Sequence, residues 1–186
     1  MKANDLRPGM ATIFEGKLYL CVKAMHVTPG NLRAFVQVKL RALDSGTIID
    51  HRLRSTDDIE QTFLDRREME YLYSEKTGHV LMDNQTYDQI TVSDDLIGES
   101  IKFFRPNTPL IALVHEGNIV AIELPKTVEL TVTETNPVTK GATATNQLKE
   151  AVLETGLKTR VPPFIEVGEV VRISTDDGSY IARAKG

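Results

Sequence analysis

A glycine follows each of Glu15, Ser45, Thr77, Glu116 and Asp177. This punctuation constrains the fold more than any other feature, because the segments between the turns are short and carry a period of two rather than 3.6. The β-type runs fall at 12–14, 17–23, 34–42, 47–53, 70–73, 79–83, 101–105, 109–115, 118–124, 128–134, 169–174 and 179–183. Strands of this length and spacing predict an all-β chain made of several small barrels. Helical signals are confined to brief stretches at 57–63, 87–90 and 94–97, where an Asp or Ser stands ready to cap a single turn.

Charge divides the chain where periodicity does not. Residues 1–63 hold 9 cationic and 7 acidic side chains, 64–125 hold 5 and 11, and 126–186 hold 8 and 8, so the net of −4 comes from the middle third. The acidic stretch begins at Leu64, and Leu124-Pro125-Lys126 interrupts an apolar run before a new one starts. Three units in series are expected, at 1–63, 64–125 and 126–186, each of a size that folds alone only marginally. No apolar run is long enough to span a bilayer, and Met1-Lys2-Ala3-Asn4-Asp5 lacks the apolar block of a secretory signal. A cytoplasmic protein without membrane contact is the expectation. Cys21, the lone cysteine, lies in the apolar run Leu18-Tyr19-Leu20-Cys21-Val22 and reads as a buried, inert thiol.

The first third also carries the one pattern that suggests a ligand. Pro29-Gly30 makes a turn, with Pro29 fixing one dihedral and Gly30 tolerating positive φ, ahead of a strand in which Val36, Val38 and Leu40 alternate with Gln37, Lys39 and Arg41. After the turn Asp44-Ser45-Gly46, the return strand places Arg52 and Arg54 on one face. Paired, the two strands present Lys39, Arg41, Arg52 and Arg54 together. A solvated strand face often carries such cations to discourage edge pairing, and a nucleic-acid contact uses the same residues.

Catalytic chemistry finds no comparable support. His26, His51, His79 and His115 are far apart and show no metal-ligand spacing. The pairs Asp57-Asp58, Asp94-Asp95 and Asp176-Asp177 sit at turns or caps, and no phosphate-binding glycine motif or nucleophile elbow is present. No catalytic residue, metal or cofactor is assigned, and a binding protein is favoured over an enzyme.

Several segments resemble a known family. Pro29-Gly30 leading into Ala34 through Arg41, then Glu123-Leu124-Pro125-Lys126-Thr127-Val128-Glu129-Leu130, then Lys140-Gly141, and finally Lys149-Glu150-Ala151, Gly156, Val161-Pro162 and Gly168-Glu169 are similar to bacterial elongation factor P, end to end. Thr159 stands where Leu or Val is usual in the last of these. The resemblance implies three β-barrels, the first SH3-like and the next two OB-fold-like, in an elongated L. It also implies a monomeric factor that binds the ribosome, meeting ribosomal RNA and proteins, beside peptidyl-tRNA, and promotes peptide-bond formation at consecutive prolines.

Carried over residue by residue, the resemblance places Pro29, Gly30, Asn31, Leu32 and Arg33 in the tip loop toward peptidyl-tRNA. Lys39, Arg41, Arg52 and Arg54 face RNA. In the third barrel, Lys140, Gly141, Ala142 and Thr143, with Tyr180 and Arg183, face the ribosome and messenger. Asn31 occupies the tip position where most members hold a modifiable Lys or Arg, and it offers neither an amine nor a guanidinium. Ala142, where Asp is usual, and the pair Arg66-Arg67 are similar to the elongation factor P-like paralogue. That paralogue, and a generic RNA-binding barrel scaffold without activity at stalled prolines, are the alternatives.

Overall fold

The computed structural model describes residues 1–30, 33–137 and 148–184. Its first five strands are β1 (Ala11–Phe14), β2 (Lys17–Val27), β3 (Phe35–Ala42), β4 (Ile48–Arg54) and β5 (Glu60–Thr62), in the sheet order β4-β3-β2-β1-β5. On β3 the expected alternation is realised: Val36, Val38 and Leu40 are buried while Gln37 and Lys39 are exposed. Leu6, Cys21, Leu53 and Ile59 complete that core. Burial pushes the Cys21 thiol above its ordinary pKa, which suppresses the reactive thiolate.

The next elements are β6 (Asp65–Glu75), β7 (Gly78–Asp83), β8 (Gln89–Val92), the single-turn helix α1 (Asp94–Ile97), a 3-10 helix over Gly98–Phe103, β9 (Thr108–His115) and β10 (Asn118–Glu123), with sheet order β10-β9-β6-β7-β8. Last come β11 (Thr127–Thr135), β12 (Lys149–Leu153), β13 (Lys158–Val161), β14 (Val170–Ser174) and β15 (Tyr180–Arg183), in the order β13-β12-β11-β14-β15. Leu130, Val132, Leu153, Val161, Ile165, Val171 and Ile173 form their core. The architecture is therefore mostly β, in three five-stranded sheets. Two compact units are present, Met1–Arg66 with Leu113–Ala121, and Arg67–Ala112 with Ile122–Gly186.

Three local expectations are corrected. Residues 57–63 are not helical: Ile59 drops into the first core, its N–H bonds Met1 O at 2.8 Å, and β5 pairs with β1. Residues 87–90 are not helical either, since Tyr87 adopts φ 62° and β8 begins at Gln89 to pair with β7. Conversely 101–105 is not a strand. Phe103 and its neighbour Phe104 are both buried, which a strand with one solvated face does not permit, and the 3-10 helix ending at Phe103 achieves it. Besides β5 and β8, two further strands escaped the sequence reading, β12 and β13, where small or charged residues mask the alternation of Ala151 and Leu153.

Candidate nucleic-acid interface

The wet face of β2, β3 and β4 is set by register. Phe35, Gln37, Lys39 and Arg41 on β3 stand opposite Arg54, Arg52, Asp50 and Ile48 on β4. Because paired residues project to the same side, Lys39, Arg41, Arg52 and Arg54 do share one face, as expected. The stripe is nevertheless not made of cations alone. Asp50 lies within it and accepts a hydrogen bond from Lys39 Nζ at 3.1 Å.

A fifth cation joins from β2. The pairing of β2 with β3 slips between Cys21 and Lys23, so that Cys21 opposes Leu40 and Lys23 opposes Lys39, leaving Val22 as the extra residue of a bulge. One inserted residue exchanges the faces of everything after it. Tyr19 and Cys21 point into the core before the bulge, whereas Lys23 and Met25 are exposed after it. The sequence reading ended this strand at residue 23, where alternation fails, and so missed Lys23. The failure of phase within a run that stays strand-like was the available signal.

At the end of this face nearest the tip, Arg33, Phe35, Arg52, Arg54, Ser55 and Thr56 line an open groove of about 620 Å³. The Arg52 guanidinium lies over the Phe35 ring, 3.6 Å from its centroid. An arginine stacked in this way keeps its in-plane N–H donors free to meet an anion, and the pair holds a flat, cationic surface in place. Arginine donors, an aromatic ring and two hydroxyls fit a phosphate backbone with an adjoining base better than they fit an apolar ligand.

The base of the tip hairpin is fixed by a further contact. His26 Nε2 lies 3.2 Å from Arg7 Nη1, and His26 Nδ1 lies 3.1 Å from Asn4 Oδ1. Arg7 has only donors, so its partner nitrogen accepts and His26 donates through Nδ1 to Asn4. Arg7 also donates to the carbonyls of Asn4 and Leu6, tying the N-terminal segment to β2.

The tip itself requires one correction. Gly30 is not in the left-handed region, and a Cβ there meets no heavy atom within 4 Å. The turn at Pro29 therefore does not depend on a glycine for its own geometry. Asn31 and Leu32 lie outside the described residues, as do Lys140, Gly141, Ala142 and Thr143 of the third barrel. Tyr180 packs half-buried against the core of β11 to β15, and Arg183 is engaged on its own surface, 2.9 Å from a Glu169 oxygen and over the Phe164 ring.

Elsewhere the titratable groups serve local structure. Asp83 Oδ1 accepts N–H bonds from Gln85 and Thr86, which hold its carboxyl below the usual range, and Asp177 is held down in the same way by the Ser179 hydroxyl and N–H. Among the described residues no three His, Cys, Asp or Glu side chains come together as metal ligands, and no helix is long and apolar enough to cross a membrane.

Comparison with known proteins covers the chain almost completely. Family models match in three consecutive segments: elongation factor P KOW-like domain at residues 2–59, elongation factor P OB domain at 64–122, and elongation factor P C-terminal at 128–183. A curated relative from Acidobacterium capsulatum named elongation factor P is 43% identical over 98% of this chain and 98% of its own length. Another of that name from Moorella thermoacetica is 41% identical over 99% of this chain and 100% of its own. Among solved structures, one titled eukaryotic translation initiation factor 5A from Methanococcus jannaschii aligns with 66% of this chain and 94% of its own at 19% identity and TM-score 0.48, too loose a likeness to carry weight.

Proposed function

Because the chain belongs to the elongation factor P family of translation elongation factors, we propose that it binds the ribosome beside peptidyl-tRNA and promotes peptide-bond formation at consecutive prolines. The observation that carries this reading is the series of three consecutive family matches over residues 2–59, 64–122 and 128–183. Those segments also support the organisation into units 1–63, 64–125 and 126–186.

Proline is a rigid secondary amine and a poor partner in peptide transfer, so a factor that orients the reactants lowers an entropic barrier without contributing a catalytic group. In this reading the ribosome performs the chemistry. Pro29 to Arg33 approach the peptidyl-tRNA end, while Lys23, Lys39, Arg41, Arg52 and Arg54 contact RNA phosphates and Phe35 with Arg52 supplies a stacking surface. Lys140 to Thr143, with Tyr180 and Arg183, face the ribosome and messenger. The factor works as a cytoplasmic monomer. Asn31 offers no site for a charged extension, so Arg33, at the wall of the groove, supplies the cation nearest the tip and the protein acts unmodified.

Ribosome co-sedimentation across a salt series tests the RNA contacts. Arg52→Ala and Arg54→Ala each reduce the slope of log affinity against log salt by roughly 1, the change expected for one lost phosphate contact. An unchanged slope returns the face to a solvated strand surface. The paralogue alternative, which Ala142 and Arg66-Arg67 favour, forecasts ribosome binding without relief of proline stalling.

A further inference from the structure

We propose that Ser74 is an acyl-acceptor site, a hydroxyl activated by His79 and Asp94 that takes an acyl group from a small ester or acyl phosphate. Ser74 Oγ lies 2.9 Å from His79 Nδ1, and His79 Nε2 lies 2.9 Å from Asp94 Oδ1. A nucleophile within reach of a base, with the base oriented by a third group, is the arrangement that activates serine. The Tyr71 hydroxyl stands 2.8 Å from Ser74 Oγ.

Register brings these groups together. Ser74 on β6 pairs with His79 on β7, so their side chains project to one side. Tyr71 pairs with Leu81 and Tyr73 with Val80, which leaves Leu72 as the extra residue of a bulge. That inserted residue turns Tyr71 and Ser74, three apart, to the same face, where an unbroken strand would put them on opposite faces. Tyr71 is held there by stacking on Phe104, with ring centroids 5.0 Å apart. Asp94 opens α1 and directs its carboxylate to His79.

The partners fix the hydrogens. A carboxylate only accepts, so His79 carries its hydrogen on Nε2 and leaves Nδ1 to accept from the Ser74 hydroxyl. Tyr71 O–H then donates to Ser74 Oγ. His79 is buried while Ser74 is exposed, so the base is shielded and the nucleophile is open to a donor. As Oγ bonds to the carbonyl carbon of the donor, its proton passes to Nδ1, and the Asp94 carboxylate stabilises the imidazolium. Tyr71 O–H lies beside the place where negative charge gathers on the carbonyl oxygen. The bond from carbon to the leaving oxygen breaks, that oxygen departs with the proton from Nδ1, and Ser74 remains as an ester. The chain thereby accepts one acyl group and does not turn substrate over. This site is separate from the cationic face of β2 to β4 and does not rest on the ribosomal reading.

The test incubates the full-length protein with p-nitrophenyl acetate and follows acetylation residue by residue by peptide mass spectrometry. Ser45, exposed and bonded to the Thr47 hydroxyl rather than to a base, is the internal reference. Ser74 is expected to acetylate about 100-fold faster than Ser45, the gain a positioned general base supplies. His79→Gln is expected to remove that advantage. Asp94→Asn alters a side chain that is 85% exposed, so it leaves the fold intact and is expected to slow Ser74 about tenfold. The proposal is overturned if Ser74 labels no faster than Ser45, or if Asp94→Asn labels at the parent's rate.

Discussion

At the scale of single residues, glycines separate what the fold requires from what a partner requires. A Cβ at Gly78, where φ is +147°, would lie 2.1 Å from the carbonyl oxygen of Val92, a backbone atom that β7 and β8 hold in register. Gly78→Ala is therefore expected to cost about 3 kcal/mol or more of stability. Gly117, at φ +82° with open space around it, pays only for backbone conformation, so Gly117→Ala costs about 1 kcal/mol. Thermal or denaturant unfolding of the two variants checks the difference. Gly30 has neither constraint, and Gly30→Ala should melt with the parent protein. Any loss of translational activity in that variant then reports the close approach of a partner to the tip, not a distorted turn. The sequence alone could not separate these cases, because a glycine in a turn looks the same whether φ, crowding or a ligand demands it.

At the scale of elements, the alternation on β3 makes its core and its wet face legible from the residues alone, since one strand with one buried face needs only a period of two. The change of phase on β2 shows in the residues only as a loss of alternation, which does not say on which face the strand continues. A bulge at Val22 is decided by the partner strand, and it carries Lys23 to the cationic face while Cys21 stays buried. The two misplaced helices have a similar cause: Asp57 and the Asp83 to Asp88 turn use their side chains and carbonyls in tight turns, where the same residues would equally suit a helix cap. Two turn carboxylates, Asp83 and Asp177 in the separate turn before β15, predict a pH dependence. Asp83 and Asp177 are both held below the ordinary value of 3.8 by hydrogen bonds to the charged form. Their contribution is present above the unfolded pKa and is lost as pH falls through the lower folded value. Replacing both by Asn should flatten the decline in melting temperature between about pH 5 and about pH 2, the span over which depressed carboxylates reprotonate. An unchanged decline would assign acid sensitivity to other groups.

At the scale of the whole molecule, sequence reading reaches the mostly-β class and the family, because turn spacing and end-to-end motifs survive where individual boundaries do not. The candidate site is legible in the sequence as four cations. It is not legible there as a groove, since the Asp50 partner of Lys39 and the stacking of Arg52 on Phe35 arise only from cross-strand register. The separation of charge along the chain gives these parts opposite electrostatic character, a cationic face in the first third and an acidic balance in the middle third. The central claim is that this protein, unmodified at Asn31 and Arg33, accelerates peptide transfer where proline is both donor and acceptor. It is tested most directly by the rate of peptide formation in a reconstituted system, using ribosomes from the same source and recombinant protein of verified unmodified mass. The account predicts a faster rate at consecutive prolines, no change at a pair of non-proline residues, and a reduced effect for Arg33→Ala. An equal rate with and without the protein at consecutive prolines would contradict it.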